Sequence, residues 1–184
     1  MTKKRSKQSK QGAGQPQQKE RWQRDALNLL LKLFFLGLTL LLSFTFLFGL
    51  EVAPDDSMAQ SIKAGDITFY YRLIKPADLT KDTVVVVEEN HQLQLRRIVA
   101  GPGDEVSIQA EGLYVNGNLQ TATYVTNETL PYADGPSYPL SLQDKQYFVL
   151  GDYRTNVSDS RSYGVVSLSQ IKGVVITMIR SRRF

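Results

Sequence analysis

The chain is expected to form a mainly β domain, with twisted sheets folded into a sandwich or open barrel, behind one N-terminal transmembrane helix. Three observations lead there. The stretch Leu33–Leu50, LFFLGLTLLLSFTFLFGL, runs eighteen residues without a charge. Residues 51–184 hold short β-branched and aromatic runs bounded by Gly, Asn and Asp, with no long helical periodicity. Cysteine is absent and His91 is the single histidine, which excludes disulfides, thiolate metal sites, a Cys nucleophile and multi-histidine metal centres. No cofactor signal is present, and no metal is expected.

Residues 1–25 form a basic tail. Up to Arg24 it carries eight Lys and Arg against one acid, Glu20, among Gln, Ser and Gly. So little apolar surface cannot offset the entropy of ordering, so the tail is expected to be disordered. The anchor follows over 26–50. Its uncharged part alone spans ~27 Å as a helix, close to a bilayer's hydrocarbon core. Lys32, about one turn in, can snorkel to the headgroups. The residues after it, Glu51-Val52-Ala53-Pro54-Asp55, offer no small-x-small cleavage site, so the segment reads as an anchor rather than a removed signal. The positive flank places the N-terminus in the cytoplasm and residues 51–184 outside.

The extracytoplasmic part holds 13 basic and 16 acidic residues, a net −3 against +4 for the whole chain. The basic character is therefore local to the tail. Anionic membrane lipid is its expected partner, and nucleic acid is not. An exported domain without cysteine points to a bacterial surface.

Strands are expected at Ile67–Leu73, Thr83–Glu89, Leu93–Ala100, Glu105–Gln109, Leu113–Val115, Tyr147–Leu150 and Val174–Arg180. Asn90-His91 and Asn116-Gly117 read as hairpin turns, the second being the stronger signal. Ser167–Ile171 suggests one helical turn. Thr121–Asp144, rich in Thr, Asn, Pro and Ser, reads as an irregular excursion.

Four segments are more particular than scaffold requires. They are Asp55-Asp56-Ser57-Met58, just past the anchor; Gly65-Asp66-Ile67, a turn into a strand; Arg96-Arg97-Ile98-Val99-Ala100-Gly101-Pro102-Gly103-Asp104, a basic strand ending in a turn; and Gly151-Asp152-Tyr153-Arg154-Thr155-Asn156-Val157-Ser158-Asp159-Ser160-Arg161. Singly, each is an ordinary loop, turn or ion-paired segment. Together, in this order behind one anchor, they resemble the type I signal peptidases of bacteria over nearly the whole chain.

That resemblance implies a Ser/Lys serine peptidase. Ser57, followed by Met58, stands at the nucleophile position, and Arg97 at that of a structural arginine. Asp152, Arg154, Asp159, Ser160 and Arg161 match a motif that braces the site through ion pairs. The implied partner is a signal peptide lying as an added strand, or an extended segment of an exported or surface protein. Relatives with altered dyads stand beside pilus assembly systems of Gram-positive bacteria, so pilins are candidate clients.

The chain departs from the family pattern where the chemistry sits. The lysine base is replaced by Arg96. Bringing a lysine from ~10.4 to ~7.5 costs about 4 kcal/mol, within what burial supplies, whereas bringing an arginine from ~13.8 to ~7 costs about 9 kcal/mol. A guanidinium there is expected to keep its proton. The serine that orients the lysine is Val157, with Ser158 next to it, and valine has no hydrogen-bonding group. Asp55 occupies a position beside the oxyanion hole, where a carboxylate opposes developing negative charge. Gln60-Ser61-Ile62 and Tyr153 also differ. A permanent cation at 96 is expected to pair with Asp55 or Asp56.

The first reading is therefore a membrane-anchored signal peptidase-like protein, impaired or inactive in cleavage, that binds extended segments of exported proteins. The second is an active signal peptidase using Ser57 with another base, His91 or a water held by Asp159. The third is an anchored β domain whose motif matches are structural only.

Overall fold

The computed structural model describes residues 15–181. They fall into two compact units that divide between Phe44 and Thr45. Helix α1 spans Gln15–Leu47. Its segment Arg21–Leu47, which contains an 18-residue window with a mean hydropathy of 2.2, is long and apolar enough to cross a membrane. The helix starts eleven residues before the expected anchor boundary, so residues 15–25, expected to be disordered, are helical. The rest of the basic tail lies outside the described residues. At the other end, Phe48, Gly49 and Leu50 belong to a strand rather than to the anchor. Their apolar character suits either role, and pairing with a later strand decides it.

The second unit is mainly β. Strand β1 (Phe48–Val52) pairs antiparallel with β2 (Ile67–Tyr71). There follow β3 (Val84–Glu89), β4 (Gln92–Ala100), β5 (Glu105–Gln109), β6 (Gly112–Val115), β7 (Asn118–Leu119), β8 (Leu140–Ser141) and β9 (Gln146–Leu150), then a short helix α2 (Ser160–Tyr163), β10 (Val166–Ser167) and β11 (Ile171–Ile179). They form one seven-stranded sheet, β1-β2-β11-β3-β4-β9-β10, and one four-stranded sheet, β7-β6-β5-β8. All strand pairs are antiparallel. The seven-stranded sheet ends at β1 and β10 without closing, so the architecture is open.

The two hairpin turns form as expected. Asn90 and His91 join β3 to β4 with φ of 50° and 61°, and Asn116 and Gly117 join β6 to β7 with φ of 52° and 75°. Two consecutive left-handed residues match the twist of the strands they connect. The expected helical turn at 167–171 is a 3-10 turn at Leu168–Gln170. The excursion after Gln120 is irregular except for β8.

Alternation along the strands builds the core. In β9, Phe148 and Leu150 face a cluster with Val106, Ile108, Leu113 and Val115, which joins the two sheets. Tyr147 and Val149 point the other way, toward Val85, Val87, Ile98 and Ile171. Both faces are covered, so the strand reads as a continuous apolar run. Val85, Val86 and Val87 are fully buried for the same reason, each contributing about 1.5–3 kcal/mol by leaving water. A third cluster gathers Ala53, Met58, Ile62, Tyr70, Val86 and Leu95. It lies under the loop that carries Ser57.

Candidate active site

Ser57 is placed from both sides. On its own loop, its N–H donates to Asp55 Oδ1 at 2.9 Å. Asp56 Oδ1 accepts from the Ala64 N–H at 2.8 Å, and Met58 is buried in the core beneath. From the far side, the Tyr153 N–H donates to the Ser57 carbonyl at 2.9 Å. A Cβ on Gly151 would stand 2.8 Å from that same carbonyl. The glycine before Asp152 thus lets the last motif's loop press against the serine's backbone.

Arg96 is almost fully buried, with 1% of its surface exposed. Its Nη1 donates to Ser57 Oγ at 2.7 Å and to the Leu95 carbonyl at 2.6 Å. Nε and Nη2 both donate to the Ser158 carbonyl, at 2.9 and 2.6 Å. The expected ion pair with Asp55 or Asp56 does not form, because both carboxylates are engaged by backbone N–H groups of their own loop. Carbonyl oxygens, not carboxylates, surround the guanidinium. Tyr163 lies within its electrostatic reach: burial pushes the phenol up and Arg96 partly opposes this. The Tyr163 hydroxyl itself has no hydrogen-bond partner.

Behind the serine, Arg97 grips Asp152 with two hydrogen bonds, Nε to Oδ1 at 2.8 Å and Nη2 to Oδ2 at 2.7 Å. Ser61 Oγ joins them, donating to Asp152 Oδ2 at 2.7 Å and accepting from Arg97 Nη2 at 2.9 Å. Ser61 was not among the expected site residues.

Asp159 caps α2 and binds Arg161 through Nε to Oδ1 at 2.9 Å and Nη2 to Oδ2 at 2.8 Å. Ser160 Oγ accepts the Val149 N–H at 2.9 Å, tying α2 to β9. The phenol of Tyr132, another residue without a sequence signal, bonds both the N–H and the carbonyl of Val157, and its ring lies 4.6 Å from the Arg161 guanidinium. Arg154 departs from expectation. Among the described residues it makes no ion pair, and its Nη1 donates to Thr129 Oγ1 at 2.9 Å.

Ser57 and Arg96 open onto a cleft of about 560 Å³, whose walls include Asp55, Asp56, Gln92, Gln94, Val157 and Ser158. The Gln94 Oε1 is buried with no hydrogen-bond partner. Neither His91 nor Asp159 lines this cleft. His91 sits in the β3–β4 turn, and Asp159 is fully buried and bound by Arg161. Among the described residues, no three His, Asp or Glu side chains gather to hold a metal.

A family model described as "Signal peptidase, peptidase S26" matches residues 26–179. The signal peptidase I of Bacillus amyloliquefaciens is 30% identical over 136 residues, covering 70% of this chain and 74% of that protein. Signal peptidase IB of Staphylococcus aureus is 31% identical over 137 residues, covering 65% and 71%. A solved signal peptidase I from Enterococcus faecalis V583 is 24% identical, with a TM-score of 0.43 over 56% of this chain and 99% of that one.

Proposed function

We propose, for a chain that belongs to the peptidase S26 family of signal peptidases, that it is a membrane-anchored relative of signal peptidase I which holds extended segments of exported proteins and is impaired in cutting them. The observation that carries this reading is the 2.7 Å hydrogen bond from Arg96 Nη1 to Ser57 Oγ. A general base must offer a lone pair to the hydroxyl proton. A guanidinium offers only donors. The bond therefore fills an acceptor site on Oγ, and Arg96 supplies no acceptor for the hydroxyl proton. The Ser57 N–H, a natural donor to an oxyanion, is already bound to the Asp55 carboxylate.

Binding is supported separately from cutting. The cleft is open, and its walls carry the polar side chains of Gln92, Gln94 and Ser158, groups of the kind that pair with the backbone of an extended segment. The anchor tethers the β domain to the membrane, and the basic tail sets the N-terminus in the cytoplasm with the β domain outside. Clients are then proteins in export, pilin precursors among them.

A second reading, an active signal peptidase I, is favoured by the names of the relatives and by Ser57 standing in the cleft wall. A cation donating to Oγ would stabilise an alkoxide, so this reading needs only a proton acceptor, which the client or solvent would supply. The test uses the full-length chain in proteoliposomes with a radiolabelled preprotein. The impaired reading expects no cleavage above the Ser57→Ala background, together with crosslinking of the preprotein to a photoreactive group at position 92. Cleavage that Ser57→Ala abolishes establishes the second reading.

A further inference from the structure

A separate cavity of about 90 Å³ lies away from the cleft, walled by Lys81, Asp82, Gln120, Thr129 and Arg154 among others. It has several times the room that one water needs. Arg154 is 4% exposed, and its Nε is buried with no hydrogen-bond partner. Only Nη1 is engaged, by Thr129 Oγ1.

The charges around it do not cancel. Arg97 is paired with Asp152, and Arg161 with Asp159. The third guanidinium of this cluster, Arg154, has no carboxylate at ion-pair distance among the described residues. On the cavity wall, Lys81 and Arg154 contribute two positive charges. Asp82, whose carboxylate is bound by the Tyr124 hydroxyl, contributes one negative. The remainder is one positive charge in a largely enclosed space. A buried cation without a counter-charge is costly, and such groups are ordinarily paired. Burial accordingly lowers Arg154 to about 10.

The donors facing the cavity suit an anion. Arg154 offers Nε–H. Thr129 accepts from Arg154 and keeps its own hydroxyl hydrogen to donate. The Lys81 ammonium bonds Gln120 Oε1 with one hydrogen and has two more. Asp82 opposes an anion, but its charge is already counted. We propose that this cavity binds a small monovalent anion, of the size and charge of chloride or formate, with Arg154 as its buried counter-ion and Lys81 at its mouth.

The test is the melting temperature of the full-length chain in detergent, titrated with sodium chloride against sodium gluconate at equal ionic strength. Gluconate is too large for the cavity. Chloride is expected to raise the melting temperature by roughly 2–5 °C over gluconate at saturation. Arg154→Leu is expected to abolish the difference. Should that variant not fold, Lys81→Gln, a change at an exposed residue, is expected to shift the chloride midpoint several-fold upward. Crystals grown with bromide are expected to show an anomalous peak in this cavity beside the Arg154 guanidinium. Equal melting in chloride and gluconate, a chloride effect unaltered in both variants, or water alone in the cavity of the bromide crystals each overturns the proposal.

Discussion

The Arg96 guanidinium donates to the Ser57 hydroxyl at 2.7 Å, and its other donors are taken by the Leu95 and Ser158 carbonyls. A side chain held by four such bonds stays put. Its neighbour Val157 presents a buried hydrocarbon where a hydroxyl could have oriented an amine. The proposed impairment therefore resides in two positions, and reversing both is its sharpest test. Arg96→Lys combined with Val157→Ser is expected to raise preprotein cleavage by at least roughly 10²-fold over the parent, the lower end of what a positioned base supplies. Arg96→Lys alone is expected to give less, because Val157 cannot hold the amine. A gel-based cleavage assay at neutral pH reads both. Equal turnover in all three proteins contradicts the lost-base account.

Gly151 is expected to be intolerant of a methyl group, since a Cβ there meets the Ser57 carbonyl at 2.8 Å and the Val157 side chain at 3.0 Å. Gly151→Ala should cost about 1–3 kcal/mol and displace the Ser57 loop. Gly101→Ala is the control: its nearest neighbours stand 3.8 Å away, and the effect should stay within about 0.5 kcal/mol. Thermal melts of the two variants, run side by side, check this.

The Arg97–Asp152 pair and Ser61 act as one unit. Asp152→Ala leaves a buried guanidinium unpaired and should cost about 3–5 kcal/mol. Ser61→Ala should cost about 1–3 kcal/mol, because its hydroxyl serves a charged donor and a charged acceptor. A double-mutant cycle on 61 and 152 should show non-additivity, as the two side chains share a hydrogen bond. Additive losses would mean that Ser61 only fills space.

Asp66 ties the end of the chain to the start of β2. The Lys63 N–H holds its carboxyl below the ordinary 3.8, burial opposes this, and the Ser181 N–H and Arg180 reinforce it. A carboxylate depressed in the folded state favours folding above its unfolded value, and that contribution is lost as pH falls through the folded value. Acid titration should therefore loosen the β2–β11 pairing below about pH 4. Asp66→Asn should flatten that part of the pH–stability curve. An unchanged acid limb in the variant would assign the loss to other carboxylates.

Much of the fold was legible because its signals are local. The β-branched run in β3, the apolar run in β9 and the paired left-handed residues at Asn90-His91 and Asn116-Gly117 need no distant partner to be recognised. The strands that escaped notice are those defined by partners. β1 hides inside an apolar run that also suits a membrane helix, and becomes a strand because Gly49 and Gly173 leave room for the Tyr70 ring on the strand between them. β7, β8 and β10 are two residues long and carry no period at all.

By itself the sequence determined that this chain has one long apolar segment behind a basic tail, a cysteine-free β domain after it, and an arginine rather than a lysine at position 96. Those are properties of composition, spacing and intrinsic basicity, which do not wait for folding. Only the tertiary structure decided what the arginine does with its hydrogens. Asp55 and Asp56 were equally available on paper, yet backbone N–H groups claim both, and Arg96 turns instead to Ser57 and two carbonyls. It likewise left Arg154 without a carboxylate by giving Asp152 to Arg97 and Asp159 to Arg161. Hydrogen-bond partners are allotted by geometry across residues far apart in the chain, and no local pattern encodes that allotment.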